Sequence, residues 1–328
     1  MVIGETGVYA IVDGQFGSTG KGALAAWLAD YALRHKLAYN FAGAIYSGGP
    51  NSGHTFYVDN EKVVVKQLPA FAVYLYLKGI TIPVYLSAGA VIDPYILRDE
   101  ANTFSNLPIY VHPNAAVVSL ADKEAELQGS IAEVAGTRSG TGAALARKIL
   151  RDPSAIAGRA LSYIAPNVSI QHHRLKPKDH AYSMEVSQGF SLGINSQFYP
   201  KVTSRECTVM QGLADARIAP ADLAETFMAI RTYPIRVGNV DGHSSGNWYS
   251  DQYETTWEDI QVPPEMTTVT KRVRRVASFS LDQFYEACYA NDPSVVFVSH
   301  MDYLTDDEQM AMVDMLYEAR EAMGKKFV

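Results

Sequence analysis

Three segments of the chain hold residue types able to do phosphate, acid and carboxylate chemistry. In Gly14-Gln15-Phe16-Gly17-Ser18-Thr19-Gly20-Lys21-Gly22 the glycines let successive backbone N–H groups turn inward around phosphate oxygens, and Lys21 adds a formal positive charge. The segment departs from the common P-loop pattern, because Gln15 stands where the first Gly would fall and Gly22 replaces the hydroxyl residue that holds magnesium. In Tyr46-Ser47-Gly48-Gly49-Pro50-Asn51-Ser52-Gly53-His54-Thr55-Phe56, backbone carbonyls can approach a ligand or cation closely, and His54 can donate a proton near neutral pH. The third segment is Lys271-Arg272-Val273-Arg274-Arg275, preceded by Thr267, Thr268 and Thr270. Arginine forks bind carboxylates bidentately and threonine hydroxyls add neutral donors, so a small dicarboxylic acid suits it. Taken singly, each has a plainer reading: a structural turn, a surface histidine, a solvated basic loop.

Elements able to position these residues are legible around them. Residues 8–12 (VYAIV) form a short apolar, β-branched run ending in Asp-Gly, which predicts a buried strand, and residues 21–35 have the spacing of a helix. The first segment therefore lies between a strand and a helix N-terminus. Further strands are expected at 41–46, 63–65, 84–86 and 295–298, and helices at 123–134, 142–151, 221–230 and 306–322. This alternation predicts an α/β fold with a mainly parallel central sheet flanked by helices, residues 1–328 forming one domain. Two lesser signals fit ligand contacts: Arg138-Ser139-Gly140-Thr141-Gly142 ahead of a helix for a second phosphate, and Ser299-His300-Met301-Asp302 after a strand for a purine base. His172-His173-Arg174 has no third ligand at metal spacing and is expected at the surface.

Composition bounds the function classes. The chain has 328 residues, 48% apolar and 19% charged, which excludes a disordered or collagenous protein. Its net charge of −7 argues against direct nucleic-acid binding or attachment to an anionic membrane, so any anion site must be local. Cys207 and Cys288 lack metal-ligand spacing and fit a reducing compartment. Neither a secretory signal nor an unbroken membrane span is read, since residues 68–92 are interrupted by Lys78 and Pro83; a cytoplasmic location is expected.

In order along the chain, these segments resemble the adenylosuccinate synthetase family. The family's first loop, G-x-Q-W-G-D-E-G-K-G-K, corresponds to Asp13 through Ala23, and its G-G-x-N-A-G-H-T loop to Gly48 through Thr55. The block E-G-A-Q-G-T…Y-P-Y-V-T-S corresponds to Glu185 through Phe190 and on to Tyr199 through Ser204. T-R-V-G corresponds to Ile235-Arg236-Val237-Gly238, T-G-R-x-R-R to Thr270 through Arg275, and T-K-x-D to Ser299 through Asp302. The resemblance implies a P-loop-like fold, a C–N bond-forming ligase reaction, and nucleotide and magnesium binding. By it, His54 would be the general acid at the β–γ phosphate bond, and Ser18 and the Gly53 carbonyl would lie at magnesium. Gly17, Thr19, Gly20, Lys21, Gly22, Thr55 and Asp302 would bind the nucleoside triphosphate. Asn51, Ser139, Gln188, Thr203 and Gly238 would hold the purine monophosphate, and Thr268, Val269, Thr270, Arg272 and Arg274 the aspartate. The family is homodimeric and sends an arginine across the interface; Arg147 and Arg151 are the candidates.

Two departures redirect the reading. The family's loop aspartate, which takes the N1 proton of IMP, is Ser18 here; a neutral hydroxyl is a poor base, and its small size leaves room for a 2-amino group. A purine with O6, N1–H and a 2-amino group is guanine. The combination is similar to a phage branch of the family that joins dGMP to L-aspartate, giving N6-succino-2-amino-2′-deoxyadenylate for 2-aminoadenine DNA. Ser18 through water, or a substrate phosphate oxygen, would then take the proton. The lysine of the donor-base motif is His300, and ATP or dATP is expected to serve at least as well as GTP. The alternatives are a conventional adenylosuccinate synthetase acting on IMP and a catalytically inactive nucleotide-binding protein.

Overall fold

A computed structural model describes residues 3–128, 136–240, 242–267 and 272–328. Among these, the strands are β1 (Gly7–Asp13), β2 (Phe41–Ser47), β3 (His54–Val58), β4 (Glu61–Val65), β5 (Val84–Leu86), β6 (Val91–Ile92), β7 (Ile109–Val111), β8 (Ala116–Val117), β9 (Val168–Ile170), β10 (Ala181–Val186), β11 (Leu223–Arg231), β12 (Ile235–Arg236), β13 (Glu254–Thr255), β14 (Arg275–Ala277) and β15 (Val295–Ser299). The helices are α1 (Lys21–Arg34), α2 (Ala70–Leu77), α3 (Pro94–Thr103), α4 (Leu120–Ala125), α5 (Thr141–Ile149), α6 (Ala157–Ala160), α7 (Val209–Ala216), α8 (Leu281–Asn291) and α9 (Asp306–Ala322).

Eight parallel strands form the central sheet in the order β15-β11-β1-β10-β2-β5-β7-β9. Every residue of β1 and β10 is buried, as a strand covered on both faces requires, and this is why both lack alternation. One face packs on α1 and α2 through Leu24, Leu28, Phe71 and Leu75, the other on α7, α8 and α9 through Leu213, Phe284 and Leu316. The carboxyl ends of the five adjoining strands β15, β11, β1, β10 and β2 lead into the segments singled out above, along one edge of the sheet. Open parallel sheets bind ligands at that edge.

The expected strand at 8–12 and helix at 21–35 are present as β1 and α1. Where a helix is expected over residues 221–230, a short 3-10 turn (Pro220–Asp222) leads into the strand β11. Their Ala, Leu, Glu and Met favour helix locally, but the segment lies between β1 and β15 and is buried from Thr226 to Arg231, so tertiary pairing overrides propensity. Of the helix expected at 123–134, α4 ends at Ala125, and residues 129–135 lie outside the described ones. Among the described residues, no helix is long and apolar enough to cross a membrane. Cys207 and Cys288 are buried free thiols whose pKa values burial raises to about 12.

His172 and Arg174 are exposed, as expected, while His173 is half-buried; the rings of both histidines contact His112 edge-on, at 5.0 and 5.3 Å, and His173 packs on Tyr85. Among the described residues no group of three or more metal-ligating side chains is placed to hold an ion. Burial, reinforced by His112, lowers the pKa of His173 from 6.5 to about 4, and burial also lowers that of His112. The unfolded chain therefore binds protons first as pH falls, so the stability of the neutral cluster is present above about pH 6.5 and is lost toward pH 4. The thermal midpoint should drop across that interval, and His173→Phe should flatten the drop; an unchanged pH profile of melting would reject the cluster as its source.

Candidate active site

The first loop is built around Asp13, the last residue of β1. Its fully buried carboxylate accepts from the backbone N–H of Gln15 (2.9 Å) and Gly17 (3.2 Å), from the Thr19 hydroxyl (2.5 Å) and from the Lys21 ammonium (3.0 Å). Lys21 also donates to the Gln188 carbonyl at 2.6 Å. Lys21, the formal positive charge of this loop, is buried and paired with Asp13, because a bare ammonium under a sheet edge is costly. The Gln15 side chain forms a reciprocal pair with the backbone of Arg231, donating from Nε2 to its carbonyl (3.1 Å) and accepting its N–H at Oε1 (3.0 Å).

Glycine is required at two contacts of this loop. A Cβ on Gly22 would lie 2.7 Å from the Thr55 carbonyl oxygen, so the residue that breaks the P-loop pattern lets α1 touch the strand carrying His54. A Cβ on Gly189 would fall 2.1 Å from the Gly17 nitrogen and 2.5 Å from the Gln15 oxygen. Gly189→Ala should therefore displace the loop, destabilise the chain by about 1–3 kcal/mol and raise the triphosphate KM; calorimetry and initial rates check it, and unchanged values of both would reject this packing.

His54, at the start of β3, is buried, and its Nδ1 lies 3.0 Å from Glu185 Oε2. The other oxygen of Glu185 accepts the Phe71 N–H in the first turn of α2 at 2.9 Å. Glu185 was part of a recognised motif but carried no assigned role; a carboxylate three residues before Gln188, at the end of an unread strand, was the available signal. At 3.0 Å, His54 Nδ1 and Glu185 Oε2 are in ion-pair range, and neither has a hydrogen-bond partner among the described residues.

Ser18 is exposed, with φ 55°, and Gln188 and His300 also have left-handed backbones, at φ 73° and 59°. Non-glycine residues cluster in this conformation where function constrains the chain. Gln188 Nε2 is buried with no hydrogen-bond partner among the described residues. Asn51 donates to the Thr203 hydroxyl at 3.4 Å, bringing two of the expected monophosphate residues together, and Thr141 packs beside Gly49 next to them. Ser139 shares hydroxyl contacts with Thr137 and Thr141. The start of α5, read as a second phosphate site, is filled by Glu126, whose carboxylate accepts from Gly140 (2.7 Å), Gly142 (2.7 Å) and Ala143 (3.3 Å).

Gly238 is packed under the Val273 carbonyl, joining the Arg236-Val237-Gly238 turn to the arginine hairpin. That hairpin is closed by Arg274 N–H to Glu265 O (2.8 Å) and Thr267 N–H to Arg272 O (2.8 Å). Arg272 and Arg274 lie on it half-buried, and burial lowers the pKa of Arg274. Thr268, Val269, Thr270 and Lys271 lie outside the described residues. Arg275, the last of the basic run, is instead committed to Glu254 and stacks on Trp248. Asp302 is exposed on a short 3-10 turn, and the Ser299 hydroxyl preceding it donates to the Thr19 carbonyl at 2.9 Å, placing this segment beside the first loop. Of the two arginines named for the partner's site, Arg147 is held bidentately by Asp122 at 2.7 and 2.8 Å and also donates to Asp152, Ser154 and the Val117 carbonyl, and Arg151 is exposed.

Around magnesium, the expected protein donors are neutral oxygens, the Ser18 hydroxyl and the exposed Gly53 carbonyl, with open space about Gly53. Such a sparse set fits an ion bound mainly through substrate phosphates and water.

A family model described as adenylosuccinate synthetase matches residues 144–327. The N6-succino-2-amino-2′-deoxyadenylate synthase of Vibrio phage phiVC8 is 35% identical over 332 residues, covering 97% of this chain and 91% of that protein. The structure of the cyanophage S-2L succinoaminodeoxyadenylate synthetase, bound to dGMP and to dATP as an energy donor, superposes with a TM-score of 0.84 at 32% identity, covering 97% of this chain and 90% of that one. The fully ligated adenylosuccinate synthetase of Plasmodium falciparum shares the fold, with a TM-score of 0.71 at 18% identity over 92% of this chain and 78% of that one.

Proposed function

Because the chain belongs to the adenylosuccinate synthetase family and matches its phage branch, we propose that it joins L-aspartate to C6 of dGMP at the expense of a nucleoside triphosphate. The observation that carries the reading is the meeting, at one sheet edge, of a first loop bearing Ser18 with the His54–Glu185 pair and the Lys21–Gln188 contact. The similar cyanophage enzyme, whose structure holds dGMP and dATP, supports the same pair of substrates here.

O6 of dGMP attacks the γ-phosphoryl group and the nucleoside diphosphate leaves. The aspartate amine then attacks C6, forming the C–N bond as the C6–O bond breaks and inorganic phosphate departs. The Ser18 hydroxyl and the Gly53 carbonyl would hold magnesium, which would supply positive charge against the phosphates. Lys21 and the amides of residues 18–22 face the same phosphates, and charge developing on the transferred group is stabilised there. His54, oriented by Glu185, donates at the β–γ bridge. Asn51, Gln188 and Thr203 hold the monophosphate, with the unpartnered Gln188 amide aimed for a ligand. Arg272 and Arg274 take the aspartate carboxylates, and Asp302 takes the donor base. The protein acts as a homodimer: Tyr95, Leu120 and Tyr163 line a cleft of about 630 Å3 beside Arg147, and all three are exposed. With Arg147 bound within its own chain, Arg151 is the arginine for the partner's site.

The test is a substrate matrix of dGMP, GMP, IMP and dIMP, each with L-aspartate, magnesium and ATP, dATP or GTP, with products identified by mass. A succinylated product from dGMP with little from IMP is the expected result, and ATP or dATP should match GTP. Turnover of IMP alone would instead establish a conventional synthetase.

A further inference from the structure

One ion pair, between a fully buried arginine and a half-buried glutamate, joins three of these elements. Arg231, at the end of β11 and fully buried, donates to both oxygens of Glu265 and, through Nη1, to the Ser18 carbonyl at 3.2 Å. Its Nε is also buried and has no hydrogen-bond partner among the described residues, so Glu265 and the loop carbonyl fix the guanidinium. Glu265 is the foot of the arginine hairpin, since its carbonyl accepts the Arg274 N–H. Glu265 Oε1 further accepts the Tyr303 hydroxyl at 3.1 Å and lies 3.9 Å from His300 Nε2, both in the segment around Asp302. The first loop, the carboxylate-binding hairpin and the donor-base segment thus share one junction that touches no expected substrate atom.

We propose that the Arg231–Glu265 pair is a positioning element that sets the arginine hairpin against the phosphate loop, making triphosphate and aspartate binding interdependent. The inference rests on the reaction assigned above. A triphosphate seated on the first loop bears on the Ser18 carbonyl, and that carbonyl holds the arginine on which the foot of the hairpin rests. A shift at either end is carried by a pair whose separation burial discourages. Burial would raise the Glu265 carboxyl, but Arg231 outweighs it and holds the group below its ordinary range, so the pair is ionised at neutral pH.

Equilibrium dialysis of L-aspartate against the full chain with dGMP and magnesium, with and without a non-hydrolysable triphosphate (AMP-PNP or GMP-PNP), reads the coupling directly. The wild-type chain should bind aspartate about tenfold tighter with the analogue. Glu265→Gln should reduce that ratio to about twofold while leaving dGMP affinity unchanged. A merely structural loss would weaken aspartate equally with and without analogue, preserving the ratio and overturning the proposal. Should Glu265→Gln fail to fold, Arg231→Lys keeps the positive charge but loses the two-pronged hold on Glu265 and the Ser18 carbonyl; an unaltered ratio in that variant overturns the proposal, and a reduced one supports it. Wild-type aspartate binding that ignores the analogue overturns the coupling alone, whereas no aspartate binding under any condition overturns the reaction assignment and the coupling with it.

Discussion

His54→Asn should turn over dGMP at least about a hundredfold more slowly at saturating substrates, with smaller changes in each KM. Asparagine keeps a polar group of similar reach but cannot deliver a proton, so the loss falls on the chemical step. The geometry sharpens this expectation through Glu185, whose carboxylate stands 3.0 Å from Nδ1 and accepts the Phe71 N–H at its other oxygen. Glu185→Gln should therefore reduce kcat by less than His54→Asn, because the ring is still packed between β3 and Tyr46, and the double variant should be no worse than His54→Asn alone. Rapid-quench measurement of the phosphoryl-transfer step checks both variants. Full activity of His54→Asn would remove the histidine from the acid role, and additive losses in the double variant would separate Glu185 from it.

Lys21→Met should cost both folding and catalysis. The ammonium is the only cation in contact with the Asp13 carboxylate among the described residues, and both groups are buried, so the variant leaves an uncompensated anion under the sheet edge. Removing one partner of a buried pair destabilises by about 3–5 kcal/mol. Asp13→Asn added to Lys21→Met should recover much of that stability, since an amide can still accept from the loop N–H groups, yet turnover should stay lost in the pair because the positive charge at the phosphates is gone. Urea unfolding beside initial rates separates the two effects. Recovery of activity in the double variant would show that Lys21 serves the loop's shape and not the phosphates.

The fold class, a mainly parallel sheet flanked by helices, was legible in the sequence. Loops were readable because glycines, a lysine and a histidine at fixed spacing follow from what phosphate and proton transfer require, and residues such as Gly17, His54 and Gln188 do meet along one edge. β11 was misread because a strand buried on both faces has no two-residue period, and its Ala, Glu and Met favour helix in isolation. The clamp of Asp122 on Arg147 and of Glu126 on the start of α5 could not be read at all: each joins residues at least fourteen positions apart, and only chain folding decides which carboxylate reaches which donor. Glu265 was hidden for the same reason, lying in a proline-rich stretch that reads as plain loop.

The reciprocal pairing of the Gln15 side chain with the backbone of Arg231 has a consequence for binding thermodynamics. A side-chain amide that offers one donor and one acceptor copies a peptide group, so the loop is hydrogen-bonded to β11 as if the ladder continued one step beyond β1. The conformational entropy of that turn is surrendered when the chain folds, and about 1–2 kcal/mol per residue of ordering cost is thereby absent when phosphate arrives. A ligand meeting this cradle gains affinity from rigidity it did not have to impose.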